Sequence, residues 1–334
     1  VQSFAILDII GSSLLLNGTA DMDLVAVTRT RLQVNDVSIT GASSGSQIRF
    51  TGPVQLAANV VMNTAGSSGA ANHLLFTNTI TADDATNNRT LVINASDATV
   101  TFQGTVGGTA ASTALADLDI NASLIRLQTT RVNAIDGPGN ATVTFNGKVE
   151  VGANLTITTD GANDNHLRFT DTINADDAVG QNRTLVITAG TTGMVRLEGS
   201  VGNEQSFVDL DVTGSQIELV GSDYIVNDGA GGLTSTWAGA VRLFNDVRFI
   251  TDGTSDNSIT FSGTINADDA GSADRKLVVN AGQGIVTFSS SIGVTQALAD
   301  LDLTAATIRL NGGQVVVNDG MGGAVVTFAG NVSL

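Results

Sequence analysis

The sequence predicts an all-β fold, a parallel β-helix of stacked coils, and three observations carry that reading. First, one stretch occurs three times, as His73–Ala95, His166–Gly190 and Ser258–Gly282. Each copy holds an alternating apolar strand, a turn with Ala-Asp-Asp, one Arg and a second strand. Asp83 and Asp176 are 93 residues apart, and Asp176 and Asp268 are 92. Second, a shorter motif, apolar-x-Phe-x-Gly-x-apolar, recurs inside that unit. It appears as IRFTGPV (48–54), VTFQGTV (100–106), VTFNGKV (143–149), VRLEGSV (195–201), STWAGAV (235–241), ITFSGTI (259–265) and VTFAGNV (326–332). Third, 38 Gly against 2 Pro, with abundant Asn, Asp, Thr and Val, suits many short strands joined by tight turns.

Each element follows from the pattern. Strict alternation in the Phe motif marks half-buried strands, with Phe and its i±2 neighbours on one face. A second strand type carries Leu at the Phe position: Arg31-Leu32, IRL (125–127), IEL (217–219) and IRL (308–310). The interval from that Leu to the next aromatic is the same every time: Leu32–Phe50, Leu127–Phe145, Leu219–Trp237 and Leu310–Phe328. Each Leu-type strand follows an Asp-apolar-Asp: Asp21/Asp23, Asp117/Asp119, Asp209/Asp211 and Asp300/Asp302. These landmarks divide the 92-residue unit into four sub-repeats of about 23 residues, the size of one β-helix coil. The expectation is a solenoid of about fourteen coils, four per unit. It is a single β-helix over 1–334, with internal repeats near 20–115, 116–207, 208–298 and a partial 299–334. The glycines after the aromatic (Gly104, Gly147, Gly199, Gly239, Gly263 and Gly330) are expected where positive φ or close backbone approach excludes a β-carbon. Val, Ile and Phe should stack on like residues of the next coil.

The alternative is a row of tandem β-sandwiches of about 100 residues each. Two features count against it. The same F-x-G-x-V motif recurs within a unit, and no Pro- or Ser-rich linker separates the units.

Charge and composition limit function. There are 32 acidic and 15 basic residues, a net charge of −17. That balance argues against nucleic acid and anionic membrane surfaces as partners. No window has 18 uninterrupted apolar residues, so no membrane insertion is expected. The absence of Cys removes disulfide and thiolate chemistry. The chain starts at Val1 and closes on a VTFAGNV strand, which reads as a processed product or a segment of a longer array. Solenoid ends without caps invite edge-to-edge addition.

The strings LADLDLTAATIRLNGG (298–313), VVVNDGMGGAVVTFAGNVSL (315–334) and DGANDNHLRFTDTINADD (160–177) resemble giant bacterial surface proteins. These are the β-strand-repeat, filamentous-haemagglutinin-like proteins, and the resemblance covers essentially the whole chain. It implies a right-handed parallel β-helix, secretion, and a role as adhesin or fibrous cell-surface scaffold, with no catalytic residues.

Candidate sites lie in the acidic positions. Asp83, Asp84, Asp176, Asp177, Asp268 and Asp269 could ligate Ca²⁺, a hard cation that takes several oxygens. The competing reading is a turn in which Asp pairs with Arg89, Arg183 or Arg275. The pairs Asp117/Asp119, Asp209/Asp211 and Asp300/Asp302 have the spacing of glycosidase carboxylates. Their repetition favours a structural role, because an active site occurs once. His73 and His166 are equivalent, but the third copy has Ser258, which argues against a catalytic base. N-x-S/T sequons stand at Asn17, Asn88, Asn94, Asn121, Asn140, Asn154, Asn182 and Asn331. The expected function is structural and non-enzymatic: an extracellular or cell-surface fibre, sheath or surface layer assembled longitudinally. Its partners would be copies of itself or surface polysaccharide. An adhesin stalk is the second reading, and a carbohydrate-active β-helix or tailspike the third.

Overall fold

The computed structural model describes residues 3–17, 21–40, 46–64, 73–83, 89–135, 137, 139–176, 183–227, 231–253, 256–268, 275–318 and 325–334. They fall into two compact units, Val1–Thr170 and Asp171–Leu334. Apart from a 3-10 turn at Ala111–Thr113, every regular element described is a strand. Strand pairing within each unit is parallel, and the chain coils as a β-solenoid. Parallel stacking excludes the sandwich alternative, whose strands pair antiparallel.

In the first unit the strands stack in three files. One runs through Gln47–Thr51, His73–Phe76 and Thr99–Phe102 to the second half of Asp117–Leu127. The second runs through Val54–Leu56 and Ile80–Ala82, then by way of Val106 to Arg131–Asn133 and Leu155–Thr158. The third runs through Asp36–Thr40, Val60–Asn63 and Thr90–Asn94, then the first halves of Asp117–Leu127 and Thr142–Val151, to His166–Phe169. Alternate residues of every strand point inward and form the core. Like stacks on like, as expected. Phe50, Phe76 and Phe102 stack face to face with ring centroids 4.9 and 5.3 Å apart. Outside the core, Asn94 donates to Asn63 Oδ1 at 2.9 Å, a short amide ladder.

The second unit follows the same plan. Val212, Trp237, Phe261, Phe288 and Leu310 pair in one file. Tyr224, Phe249, Val279, Leu303 and Phe328 pair in another. A third holds Leu197, Leu219, Leu243 and Ala267. Trp237 sits in a Phe slot, fully buried, and its Nε1 donates to Ser235 Oγ at 3.2 Å.

The coil count is corrected: the described strands make about eleven turns rather than fourteen. Most stacked partners lie further apart in sequence than a quarter of the repeat, because the chain between strands adds length. Phe50 stacks on Phe76, and Val60 stacks on Leu91, a still longer interval. The four-coils-per-repeat expectation fails with it. Phe50 and Phe145 are equivalent in sequence, yet Phe50 belongs to the first file and Phe145 to the third. In the second unit Trp237 and Phe328 separate in the same way. The sequence repeat is therefore about three and two-thirds turns, and equivalent residues of successive repeats face different sides. The constant interval from Leu to aromatic covers two faces of a turn.

The glycine after the aromatic falls into two classes. Gly52, Gly147, Gly239 and Gly330 have φ between +101° and +153°. Gly147 lies within the strand Thr142–Val151, at a bulge where Ala122 and Ser123 oppose it. Gly104, Gly199 and Gly263 have no such φ, but a β-carbon there would meet backbone of the preceding coil at 2.1–2.3 Å.

Candidate functional site

The first Asp of each Ala-Asp-Asp follows an inward strand, and an Arg six or seven residues on in sequence bonds to it. Arg89 grips Asp83 through Nε and Nη2 at 2.7 and 3.0 Å. Arg183 grips Asp176 at 2.7 and 2.8 Å, and Arg275 grips Asp268 at 2.9 and 3.0 Å. Both oxygens of the first Asp are thus taken by a planar fork, a geometry that suits Arg and not Lys. The hydrogen bonds from Arg183 hold the Asp176 carboxyl below the usual carboxylate range. Asp84, Asp177 and Asp269 lie outside the described residues. Among the described residues, no group of three or more His, Asp or Glu side chains is placed to hold a metal ion. Asp176 follows a strand of one file and Asp268 a strand of another, so these two Asp–Arg pairs face different sides and share no site.

The Asp-x-Asp pairs also have structural partners. In each, the two carboxyls flank a buried Leu and lie on the opposite face of the strand, although Asp300 is itself buried. Asp119 accepts the Thr144 N–H at 3.2 Å, and Asp211 accepts the Thr236 N–H at 2.9 Å, each tying one coil to the next. Asp117 and Asp209 instead cap their own strands by accepting from Leu118 and Leu210 N–H. Burial, with the neighbouring Asp119 carboxylate second, pushes Asp117 up to about 6. Burial and Asp211 do the same to Asp209, also to about 6. Asp300, the third equivalent, faces Lys276 Nζ at 3.7 Å.

A stability profile follows. Between pH 4 and 6 the folded chain keeps protons on Asp117 and Asp209 that the unfolded chain has released. Stability should fall as pH rises through that window, by up to about 1–2 kcal/mol per site after allowing for partial exposure. Asp176 works the other way: its contribution is present above the unfolded value of 3.8 and is lost at lower pH. Thermal melts should peak near pH 4–5, and Asp117→Asn with Asp209→Asn should flatten the decline towards pH 7. A melt that does not move between pH 5 and 7.5 would overturn these assignments.

The histidine question resolves on geometry. His73 Nδ1 accepts the Thr99 N–H at 2.9 Å, and Ser258 Oγ accepts the Ile285 N–H at 3.1 Å. The position supplies an acceptor to the next coil, a task that either residue performs.

The acidic stretches Asp160–Asn165 and Asp252–Asn257, which by sequence could contribute to a cation site, each end in a buried asparagine with a different task. Asn165 Nδ2 donates to Ala116 O at 2.8 Å and Ala134 O at 3.3 Å, and its Oδ1 accepts the Ala141 N–H at 3.2 Å. Asn257 repeats this with Val208 O, Val226 O and Leu233 N–H. Each ties together backbone of neighbouring coils. The signal was available: D-G-x-x-D-N precedes both strands (160–165 and 252–257).

Sequence reasoning also missed a groove of about 380 Å³ in the second unit, lined by Gln216, Arg242, Asn266 and Gln296 over the small residues Ala240 and Ala267. Glu218 beside it accepts Arg196 Nη1 and, at 2.7 Å, Gln216 Nε2. Arg196 also binds Glu198 at 2.7 Å. The Arg196 and Arg242 guanidinium carbons each lie 5.0 Å from the Phe244 ring centroid. The available signal was departure from the repeat at Gln216, Ala240, Arg242 and Phe244; Asn266, Ala267 and Gln296 match Asn174, Ala175 and Gln205.

By fold, this is an all-β protein of the parallel β-solenoid class, and its repeated acidic positions act as structural clasps. No protein-family model matches the chain, and no curated protein or solved structure matches it. No helix among the described residues is long and apolar enough to cross a membrane.

Proposed function

We propose that the chain is a structural, extracellular solenoid belonging to a fibre, sheath or surface layer, assembled longitudinally by continued stacking of parallel strands. The observation that carries this reading is the use of the repeated acidic positions. Arg forks, strand caps and inter-coil hydrogen bonds engage them and give them structural work at successive levels. The strand Thr327–Ser333 adds support. Phe328 and Val332 continue the inward files of Leu303 and Ile308, yet they stay 38% and 47% exposed. A further rung, from this chain or another copy, would bury them. The extracellular setting rests on the resemblance to filamentous-haemagglutinin-like surface proteins.

The test is assembly. Sedimentation velocity and negative-stain microscopy of the concentrated chain are expected to show extended polymers. Replacing both Phe328 and Val332 with Lys should shift the population to monomers with melting otherwise retained. Dispersed monomers of the unsubstituted chain at high concentration would remove the longitudinal mechanism.

A further inference from the structure

The departures of the second unit from its own repeat converge on one outward face. Counting from the aromatic, Arg242 stands where the other repeats carry Gln55, Glu150 and Ser333. Phe244 stands where they carry Ala57 and Gly152, and Ala240 where they carry Pro53, Lys148 and Asn331. Counting from the Leu-type strand, Glu218 replaces Arg31, Arg126 and Arg309. Features of the coil recur with the repeat. The wall made by Asn266 and Gln296 recurs as Asn174 and Gln205, but Glu218, Ala240, Arg242 and Phe244 appear together only once, on adjacent rungs, and that is the pattern expected of a site.

The electrostatics differ as well. In the first unit the equivalent rungs carry Arg126 and Glu150, and they pair at 3.0 Å. In the second unit the charges are exchanged, Glu218 beside Arg242, but the direct pair is not formed. Arg196 and Gln216 occupy both Glu218 oxygens. Among the described residues no carboxylate pairs with Arg242. Its guanidinium rests against Phe244 instead, partly desolvated and held in place by the ring. Ala240, in place of the Lys148 side chain, leaves the floor of the groove open. Asn266 Oδ1 fixes the far wall by accepting the Thr295 and Gln296 N–H at 2.9 and 3.3 Å. The volume of about 380 Å³ falls within the range of about 300–1,000 Å³ typical of small-ligand sites.

We propose that this groove binds a carboxylated sugar, a uronate unit of an acidic glycan. The Arg242 fork takes the carboxylate in the planar, bidentate manner that guanidinium favours. The polar side chains of Gln216, Thr295 and Gln296 stand where sugar hydroxyls would lie. A net charge of −17 repels dense polyanions, which favours a single carboxylate seated against one arginine over a sulfated or phosphorylated chain. The inference goes beyond the scaffold reading and does not depend on it, since polymer formation is measured separately.

The experiment is calorimetric titration of the whole chain with a galacturonic acid trisaccharide, with maltotriose as the neutral comparator. The acidic trisaccharide is expected to bind and maltotriose to bind at least about tenfold more weakly. Arg242→Gln should weaken the acidic ligand by about ten- to a hundredfold, the size expected for loss of a charged hydrogen-bond partner. Ala240→Leu, which fills the groove and leaves Arg242 in place, should weaken it comparably. Melting curves of both variants should match the parent. Three outcomes would each overturn the proposal: no binding of the acidic trisaccharide at about 10 mM, equal binding of maltotriose, or undiminished binding by both variants.

Discussion

Gly147→Ala is expected to destabilise the first unit by about 3–5 kcal/mol, the sum of a strained backbone and a steric conflict with no soft partner. The φ of Gly147 is +129°, a region that residues with a β-carbon rarely enter. The new β-carbon would lie 1.8 Å from the carbonyl oxygen of Ala122 on the preceding coil. That oxygen belongs to a stacked rung, so relief requires the two rungs to separate and their ladder hydrogen bonds to stretch. Gly239→Ala repeats the conflict in the second unit, 2.0 Å from the Gly214 oxygen. Gly313→Ala is the control: nothing lies within 4 Å of its β-carbon position, and the change should stay within about 0.5 kcal/mol. Urea denaturation followed by circular dichroism reads all three. Equal midpoints for Gly147→Ala and Gly313→Ala would show that the bulge yields without cost.

Asn165→Ala should cost a comparable amount, about 3–5 kcal/mol, by a different route. The Asn165 side chain is fully buried and serves three backbone groups, the Ala116 and Ala134 carbonyls and the Ala141 N–H. Truncation leaves all three without that partner in a place closed to water. Asn165→Asp should be no milder near neutral pH, because an acceptor would then face two carbonyl oxygens. Asn163→Ala gives the contrast. Its side chain is exposed and makes one long bond to Gly137 O at 3.4 Å, so about 0.5 kcal/mol or less is at stake. Amide hydrogen exchange would localise the damage: Ala141 should lose protection in Asn165→Ala and keep it in Asn163→Ala. Retained protection at Ala141 would mean that another group takes over the bond.

Both substitutions act on connections between coils, and the fold concentrates its vulnerability there. Within a coil, equivalent inward positions carry different side chains, such as Phe145 and Trp237. Between coils, a bulge glycine or a buried amide meets backbone that cannot move independently of its own rung. The Arg forks on Asp83, Asp176 and Asp268 are of a different kind. They join the end of one strand to the start of the next, near the surface, and are more open to water.

Much of this is legible in the sequence, and each part for a reason of range. Alternation has period two and marks an inward face without knowledge of the partner strand. Recurrence of the Phe motif within one unit requires parallel stacking, because only like strands laid on like strands need the same side chains. The pairing of Asp176 with Arg183 is visible as a competing reading, since the two are close in sequence. The interchange of His73 and Ser258 fits a position that needs only an acceptor, and both side chains accept an N–H from the next coil.

What the tertiary structure decided was phase. The 92-residue spacing suggests four whole coils, but the coils are longer than that division allows, and the repeat closes two-thirds of the way through a turn. A repeat length read from sequence counts residues. The face on which a residue lands depends on how much chain each corner absorbs, and that differs between the rung from Leu127 to Val151 and the longer one from Val60 to Leu91. The same accounting governs the groove. Arg242, Phe244 and Ala240 are neighbours in sequence, but Arg196, Gln216, Asn266 and Gln296 reach them only because successive rungs lie side by side. The sequence by itself determined the parallel solenoid and the inward residues, because those depend on local periodicity. Only the coiled structure decided which side each residue faces, because that depends on the summed length of every corner before it.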